Sequence, residues 1–372
     1  MHQYYRELLD EVGRNKAIRE SGKQVCIPYP FPRLRSVLPG IEKGQHICLT
    51  AGTGGGKSKT SRFLYIYSVV EYIKANPDCG IKPKIFYFIL ENSRKEVVAQ
   101  MAAHHIKKEY KMDTNSKVLM SKDEIVSDEI HELLIKSESH FDDLFKYVTI
   151  IHNIHSPLGI YKVVSDYMKT AGTIHYEKRL KNGGTDGEMI DIPVDYTPND
   201  PEEHVIVIVD NVNNLQPEKA HPSKRECIKD WTANYARMRL CKFYDCTVLS
   251  VQQQDMESQK LSYTSFDATP VKGKVVPSLA SLAENKTTSQ DYHVILGIFH
   301  PRHYKFTEDL GYKLDILEDN YRNLMVLKSN DTSSGWEVGI YFNGASEVFM
   351  ELPLPGRELN DFYENYKKKF NK

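Results

Sequence analysis

Apolar runs alternating with stretches of helical periodicity set the framework of this chain. Ile47-Cys48-Leu49 reads as a short buried strand, and Phe63, Leu64, Ile66, Tyr67 and Val70 follow at helical spacing. Residues 84–90 form a strongly apolar strand pattern, and Ser93 is placed to cap a helix over 95–109. Residues 113–146 are polar and partly helical, with Ile125, Ile130, Leu133 and Leu134 on one face. A strand over 147–151 and a helix over 157–170 come next. Residues 204–210 carry the clearest pattern of a buried parallel strand. A helix over 225–244, a strand over 247–251, a strand over 291–299 and a closing hairpin of 321–328 and 336–342 complete the series. Strands alternating with helices predict an α/β fold, a mostly parallel twisted sheet with helices on both faces. Ligands bind such sheets beyond the carboxyl ends of the strands.

Three segments break the rhythm. Residues 4–20 predict an amphipathic helix with Tyr5, Leu8, Leu9 and Val12 on one stripe, followed by the proline-rich link Ile27-Pro28-Tyr29-Pro30-Phe31-Pro32. Such a helix either docks on a neighbouring subunit or packs on its own domain. Residues 173–176 and 189–194 flank Asn182-Gly183-Gly184 and predict a β-hairpin insertion. The tail carries Lys367-Lys368-Lys369 and reads as frayed. The expected organisation is an N-terminal linker helix (1–27), one main domain (28–352) with its hairpin insertion (173–203), and a C-terminal tail (353–372).

Composition narrows the class. With 372 residues, 27% charged and 40% hydrophobic, the chain is an ordinary soluble globular type. A formal net charge of −1 argues against a generic basic nucleic-acid coat but leaves room for a local basic channel. Six scattered cysteines without a CxxC pair indicate neither a zinc site nor a disulfide framework. No signal-peptide core and no membrane-length apolar run are present, so the expected location is cytoplasmic, host cytoplasm for a phage-encoded chain, with no membrane partner.

The chemistry concentrates at one loop. Ala51, Gly52, Thr53, Gly54, Gly55, Gly56, Lys57, Ser58 and Lys59 lie between the first strand and the following helix, the layout of a phosphate-binding P-loop. Glycines let backbone N–H groups approach phosphate oxygens, and the helix adds its positive N-terminal end. Lys57 reaches β- and γ-phosphates, and the Ser58 hydroxyl suits Mg²⁺. Asp210 closes a β-branched strand and suits the second metal-binding position, or else caps a turn. Glu91 follows an apolar strand and suits a base that activates water, or else is a surface residue. Gln252, at the end of its strand, can sense a γ-phosphate, or belongs to a polar loop. The loop 255–286 carries Lys260, Lys272, Lys274 and Lys286 with Tyr263 and Phe266, a set for phosphates and bases of a nucleic-acid strand or simply a solvated loop.

In this order the motifs resemble the ATPase domain of DnaB-like replicative helicases, the RecA-fold ring helicases of bacteria, phages and mitochondria. The likeness rests on Thr50 to Ser58, Phe88-Ile89-Leu90-Glu91, Val207-Ile208-Val209-Asp210, Leu249-Ser250-Val251-Gln252 and the stretch from Ser289 to Leu296, and spans roughly residues 28 to 350. That family often lacks the first P-loop glycine, which accommodates Ala51. The resemblance implies a RecA-like P-loop NTPase that binds ATP and Mg²⁺ and moves on single-stranded DNA. It implies Lys57, Ser58 and Asp210 as the Mg·ATP ligands, Glu91 as catalytic base and Gln252 as the link to the DNA loops. It further implies a homo-oligomer, a hexameric ring, with primase or other replication proteins as partners. The pattern departs at three places. Asn330 stands where the family carries an arginine finger, two residues after Lys328, with Arg302 and Arg322 as substitutes. The hairpin insertion is atypical, and no primase-type module lies ahead of residue 28 in this sequence. The missing arginine opens a second expectation, a nucleotide-dependent DNA-binding, loader or recombinase-like protein with weak ATPase activity.

Overall fold

Six strands lie parallel because each is reached from the one before by a crossover long enough to turn the chain back, as the alternating pattern requires. The computed structural model describes residues 3–180, 188–218, 222–255, 272–282 and 286–369. In chain order the principal strands are β1 (His46–Ala51), β2 (Lys82–Ile89), β3 (Val148–Ile151), β4 (Gly172–Leu180), β5 (Met189–Pro198), β6 (Glu203–Asp210), β7 (Thr247–Gln253), β8 (Val294–Phe299), β9 (Tyr321–Ser329), β10 (Trp336–Asn343) and β11 (Val348–Glu351). Nine of them form one sheet in the order β11-β10-β9-β8-β1-β7-β6-β2-β3, parallel from β8 to β3 and antiparallel from β8 to β11. Strands β4 and β5 form a separate two-stranded ribbon.

The register brings the carboxyl ends together. Ala51 pairs with Gln253, Asp210 with Val251, and Ile89 with Asp210. One sheet edge therefore carries the P-loop, the end of β6, the end of β2 and the glutamines after β7.

Helices cover both faces. On one face lie α2 (Lys57–Arg62), which runs on through a wide turn (Phe63–Tyr67) into Ser68–Ala75, and α3 (Arg94–Tyr110). Ser93 and Glu96 close a capping box at the start of α3, as the serine predicts. The other face is covered by α4 (Pro157–Ala171) and α5 (Lys224–Asp230), the latter continuing as Trp231–Cys241. Alternation along β6 divides the core: Ile206 and Ile208 pack with Leu64, Ile66 and Val97, whereas Val207 and Val209 pack with Ile160, Val164 and Trp231.

Two terminal expectations meet different outcomes. The N-terminal helix, α1 (Gln3–Glu20), forms, but Tyr5, Leu8, Leu9 and Val12 are each 44–56% exposed, so its apolar stripe does not pack on its own domain. The C-terminal tail is not frayed over its described length. A helix, α6 (Arg357–Lys369), buries Leu359, Tyr363 and Tyr366, the first two in a satellite core with Tyr312, Leu317 and Tyr321. The lysine run dominated the sequence signal there, while the apolar positions that hold the helix are spaced by three and four residues. In the hairpin, Tyr196 anchors β5 to the domain by donating to the Met168 carbonyl at 3.1 Å, and the Asn182-Gly183-Gly184 turn lies outside the described residues. Among the described residues, no helix is long and apolar enough to cross a membrane.

Candidate functional site

The P-loop follows from its glycines. Gly54 and Gly56 sit at φ +71° and +97°, a region that L side chains rarely adopt. A Cβ on Gly56 would also press on the Phe342 ring at 3.1 Å. Ala51 fits for a related reason: a Cβ on Gly55 would lie 2.7 Å from the Ala51 methyl, so the glycine at 55 makes room for the alanine at 51. Gly56 caps α2 without a side-chain partner, which leaves the first helical N–H groups directed at the loop.

Lys57 Nζ donates to the carbonyls of Ala51 and Gly52, both at 3.2 Å. Burial pushes its ammonium pKa down, while Asp210 and then Glu91 push it back up. Ser58 Oγ donates to Asp210 Oδ1 at 3.0 Å. Burial raises the Asp210 pKa, against Arg62, Tyr87, Ser58 and Lys57, which lower it. Glu91, Lys57, Ser58, Lys59, Thr53, Gly54, Gly56, Asn211 and Gln253 line one open cleft of about 240 Å³. Lys59 lies at its wall and donates to the Gly344 carbonyl, and burial lowers its pKa.

The structure moves one expected residue. The Gln252 side chain is fully buried behind the sheet edge, where its Oε1 accepts from Tyr292 Oη at 2.9 Å and from Thr288 Oγ1 at 3.4 Å. Gln253 instead faces the cleft and donates from Nε2 to Thr53 Oγ1 of the P-loop at 2.9 Å, and its own N–H is held by Asn213 Oδ1 at 2.7 Å. Strand alternation makes the exchange: adjacent residues of β7 point to opposite faces. Three glutamines in a row gave the sequence no means of choosing.

Lys328 and the two candidate finger arginines are engaged within the chain. Lys328 Nζ donates to the carbonyls of Tyr292 at 2.6 Å and Ser289 at 3.0 Å. Arg322 is buried; its Nε donates to the Gly55 carbonyl at 3.0 Å and its guanidinium lies 4.7 Å from the Phe342 ring centre. Arg302 pairs with Asp315 at 2.7 Å near the surface. Of the loop cations, Lys272 pairs with the buried Asp309 carboxylate. Lys260, Tyr263, Phe266 and the side chains of Lys274 and Lys286 lie outside the described residues.

The sequence reading missed a buried polar chain behind the cleft. Tyr87 Oη donates to Asp210 Oδ2 at 2.9 Å and accepts from Arg62 Nη1 at 3.0 Å. Arg62 forms a two-pronged pair with Glu347, which lies 285 positions away. No local pattern announces a partner at that separation, although an arginine in the core-facing stretch of α2 was a usable signal.

A divalent cation fits this set. A hydroxyl and a buried carboxylate, side by side, are hard oxygen donors of the kind Mg²⁺ prefers. Among the described residues no group of three His, Cys, Asp or Glu side chains gathers.

The chain superposes on the "ATPase Domain of G40P" with a TM-score of 0.64 at 15% identity, covering 95% of this chain and all of that one (100%). It superposes on a DnaB-like replicative helicase, solved for its interactions with primase, with a TM-score of 0.63 at 16% identity, covering 93% of this chain and 66% of that one. The chain has the RecA-like fold of DnaB-type helicase ATPase domains. No family model and no curated protein matches the sequence. Lys57, Ser58 and Glu91 line the cleft at the carboxyl ends of the parallel strands, with Asp210 bonded to Ser58.

Proposed function

We propose that the protein is an ATP hydrolase of the replicative ring-helicase type, which couples ATP hydrolysis to movement on single-stranded DNA. The observation that carries this reading is the 3.0 Å contact of the buried Asp210 with Ser58, which lines the same cleft as Lys57 and Glu91. The P-loop amides and Lys57 bind the phosphates, and Ser58 with Asp210 would hold Mg²⁺. That ion, when bound, neutralises charge on the β- and γ-phosphates. Glu91 orients and deprotonates the attacking water. Gln253, bonded to the P-loop at Thr53, is placed to relay γ-phosphate loss to the segment that follows β7. The exposed apolar stripe of the N-terminal helix supports self-assembly, and a hexamer is the assembly expected for this fold. Primase or another replication protein is the partner that the same fold suggests.

The test is ATP turnover with and without single-stranded DNA, together with the mass of the assembly in a non-hydrolysable ATP analogue. Strong stimulation by DNA and a closed ring support the motor. A second reading, a nucleotide-dependent DNA-binding or loader protein with weak turnover, draws on Asn330 and on the internal bonding of Lys328 and Arg322. An arginine finger supplies roughly 10³–10⁵ in rate where it operates. Slow turnover that DNA leaves unchanged decides for this second reading.

A further inference from the structure

The buried chain behind the cleft has a direction. Arg62 Nη1 can only donate, so the single hydroxyl proton of Tyr87 goes to Asp210 Oδ2. The other carboxylate oxygen, Oδ1, meets Ser58. Arg62 is itself fixed by Glu347 and by Gln100 Oε1, the latter at 2.6 Å. Tyr67 Oη completes the Glu347 shell at 2.8 Å. Arg62, Tyr87 and Glu347 are 0–1% exposed, so this is a dry polar chain within an apolar layer. Its neighbours on the same face of β2, Ile85 and Ile89, are aliphatic, and a phenylalanine at 87 would fill the same volume without needing partners.

We infer that Tyr87, oriented by Arg62 and Glu347, is a positioning residue for the metal-binding carboxylate of Asp210. It occupies Oδ2, fixes the plane of the carboxylate and leaves Oδ1 beside Ser58 as the oxygen that faces a cation. The inference rests on the proposal that Asp210 binds the divalent ion. Outer partners of this kind contribute about 10–100-fold to metal affinity. The same chain reaches from the metal carboxylate to the β10–β11 turn, where Glu347 is seated, so the turn and the nucleotide site are tied through side chains alone.

The experiment compares wild type, Tyr87→Phe, Glu347→Gln and Asp210→Asn, each checked for folding by its thermal melt. Mn²⁺ binding is read by electron paramagnetic resonance in the presence of a non-hydrolysable ATP analogue, and hydrolysis is titrated with Mg²⁺. Tyr87→Phe is expected to weaken Mn²⁺ binding about 10–100-fold, to recover turnover at high Mg²⁺ and to leave metal-free nucleotide binding unchanged. Glu347→Gln is expected to shift Mn²⁺ binding in the same direction by less. Should Asp210→Asn weaken Mn²⁺ binding while Tyr87→Phe and Glu347→Gln leave it at the wild-type value, the positioning role is wrong and the metal assignment stands. Should Asp210→Asn itself leave Mn²⁺ binding unchanged, the metal assignment fails and this inference falls with it.

Discussion

Ser58 Oγ donates to Asp210 Oδ1 at 3.0 Å, although 152 positions separate the two residues. The contact joins the start of α2 to the end of β6 and makes a pair of oxygens out of two distant motifs. Burial raises the Asp210 pKa, so the carboxylate is held charged at a cost to folding. Asp210→Asn should therefore melt no lower than wild type in the absence of nucleotide, while its Mg²⁺-dependent turnover drops by at least about 100-fold. A lower melting temperature with turnover intact would contradict both halves of this expectation. Calorimetry and a phosphate-release assay measure the two separately.

Lys57 and Glu91 line the same cleft. On the proposed function Lys57 offers an ammonium to phosphate oxygens, so Lys57→Ala should weaken nucleotide binding by roughly 100-fold, about 3 kcal/mol. Glu91→Gln keeps the shape of the cleft wall and removes the proposed base. It should bind ATP with near-native affinity and lose about 10²–10⁴ in turnover. Fluorescent-nucleotide titration beside a turnover assay checks the pair, and a Glu91→Gln enzyme that hydrolyses normally excludes Glu91 as base.

The glutamines after β7 separate two kinds of effect. Gln253→Ala removes the bond to Thr53 at the cleft, and its main expected consequence is loss of DNA stimulation with the melt unchanged. Gln252→Ala leaves the buried Tyr292 hydroxyl without its acceptor and should destabilise the fold by about 1–3 kcal/mol. The opposite assignment of the two phenotypes would restore Gln252 to the nucleotide.

Much of the sheet was legible because it is written locally. A buried parallel strand needs a continuous apolar run, and β2 carries one over 85–89 and β6 over 205–209; a P-loop needs glycines at fixed places, and residues 52–56 supply them. The face of a polar residue at a strand end is another matter, since it depends on a single position, which is how Gln253 rather than Gln252 comes to face the cleft. Partners far apart in the chain were invisible for a different reason. Glu347 has no local pattern that links it to Arg62, and Arg322 gives no sign that its target is the Gly55 carbonyl. The helix α6 was hidden by its lysines, although Leu359, Tyr363 and Tyr366 carry its apolar stripe.

Arg322 supports the P-loop from behind. Burial lowers its pKa to about 10, yet it remains charged at neutral pH, bonded to Gly55 and stacked on Phe342. Arg322→Ala removes the bond and the cation–π contact together and should cost the isolated protomer about 3 kcal/mol. A finger acting only on a neighbouring subunit would leave the melt of the protomer untouched. Denaturant unfolding at a concentration that keeps the chain monomeric distinguishes the two.

Two fully buried histidines contribute to the response to acid. His46 Nδ1 faces the Asp291 carbonyl at 3.2 Å, which can only accept, so Nδ1 carries the proton and Nε2 accepts from Ser250 Oγ at 2.9 Å. His204 Nε2 lies 2.7 Å from Thr247 Oγ1, whose own proton goes to the Glu42 carbonyl, so His204 donates there. Both rings are neutral in the fold, and burial pushes each pKa down to about 3. Unfolded histidine takes up a proton near pH 6.5, so between about 6.5 and 3 the unfolded chain binds more protons than the native one. Stability is then complete above pH 6.5 and falls as the pH drops, by up to about 1.4 kcal/mol per pH unit for each ring. His204→Gln retains an N–H donor for Thr247 and takes up no proton. Urea unfolding between pH 6.5 and 5, above the range where most carboxylates titrate, should show a shallower loss of stability in that variant than in wild type. Equal slopes would mean that His204 is already protonated in the native protein, against the neutral ring that its burial and its bond to Thr247 require.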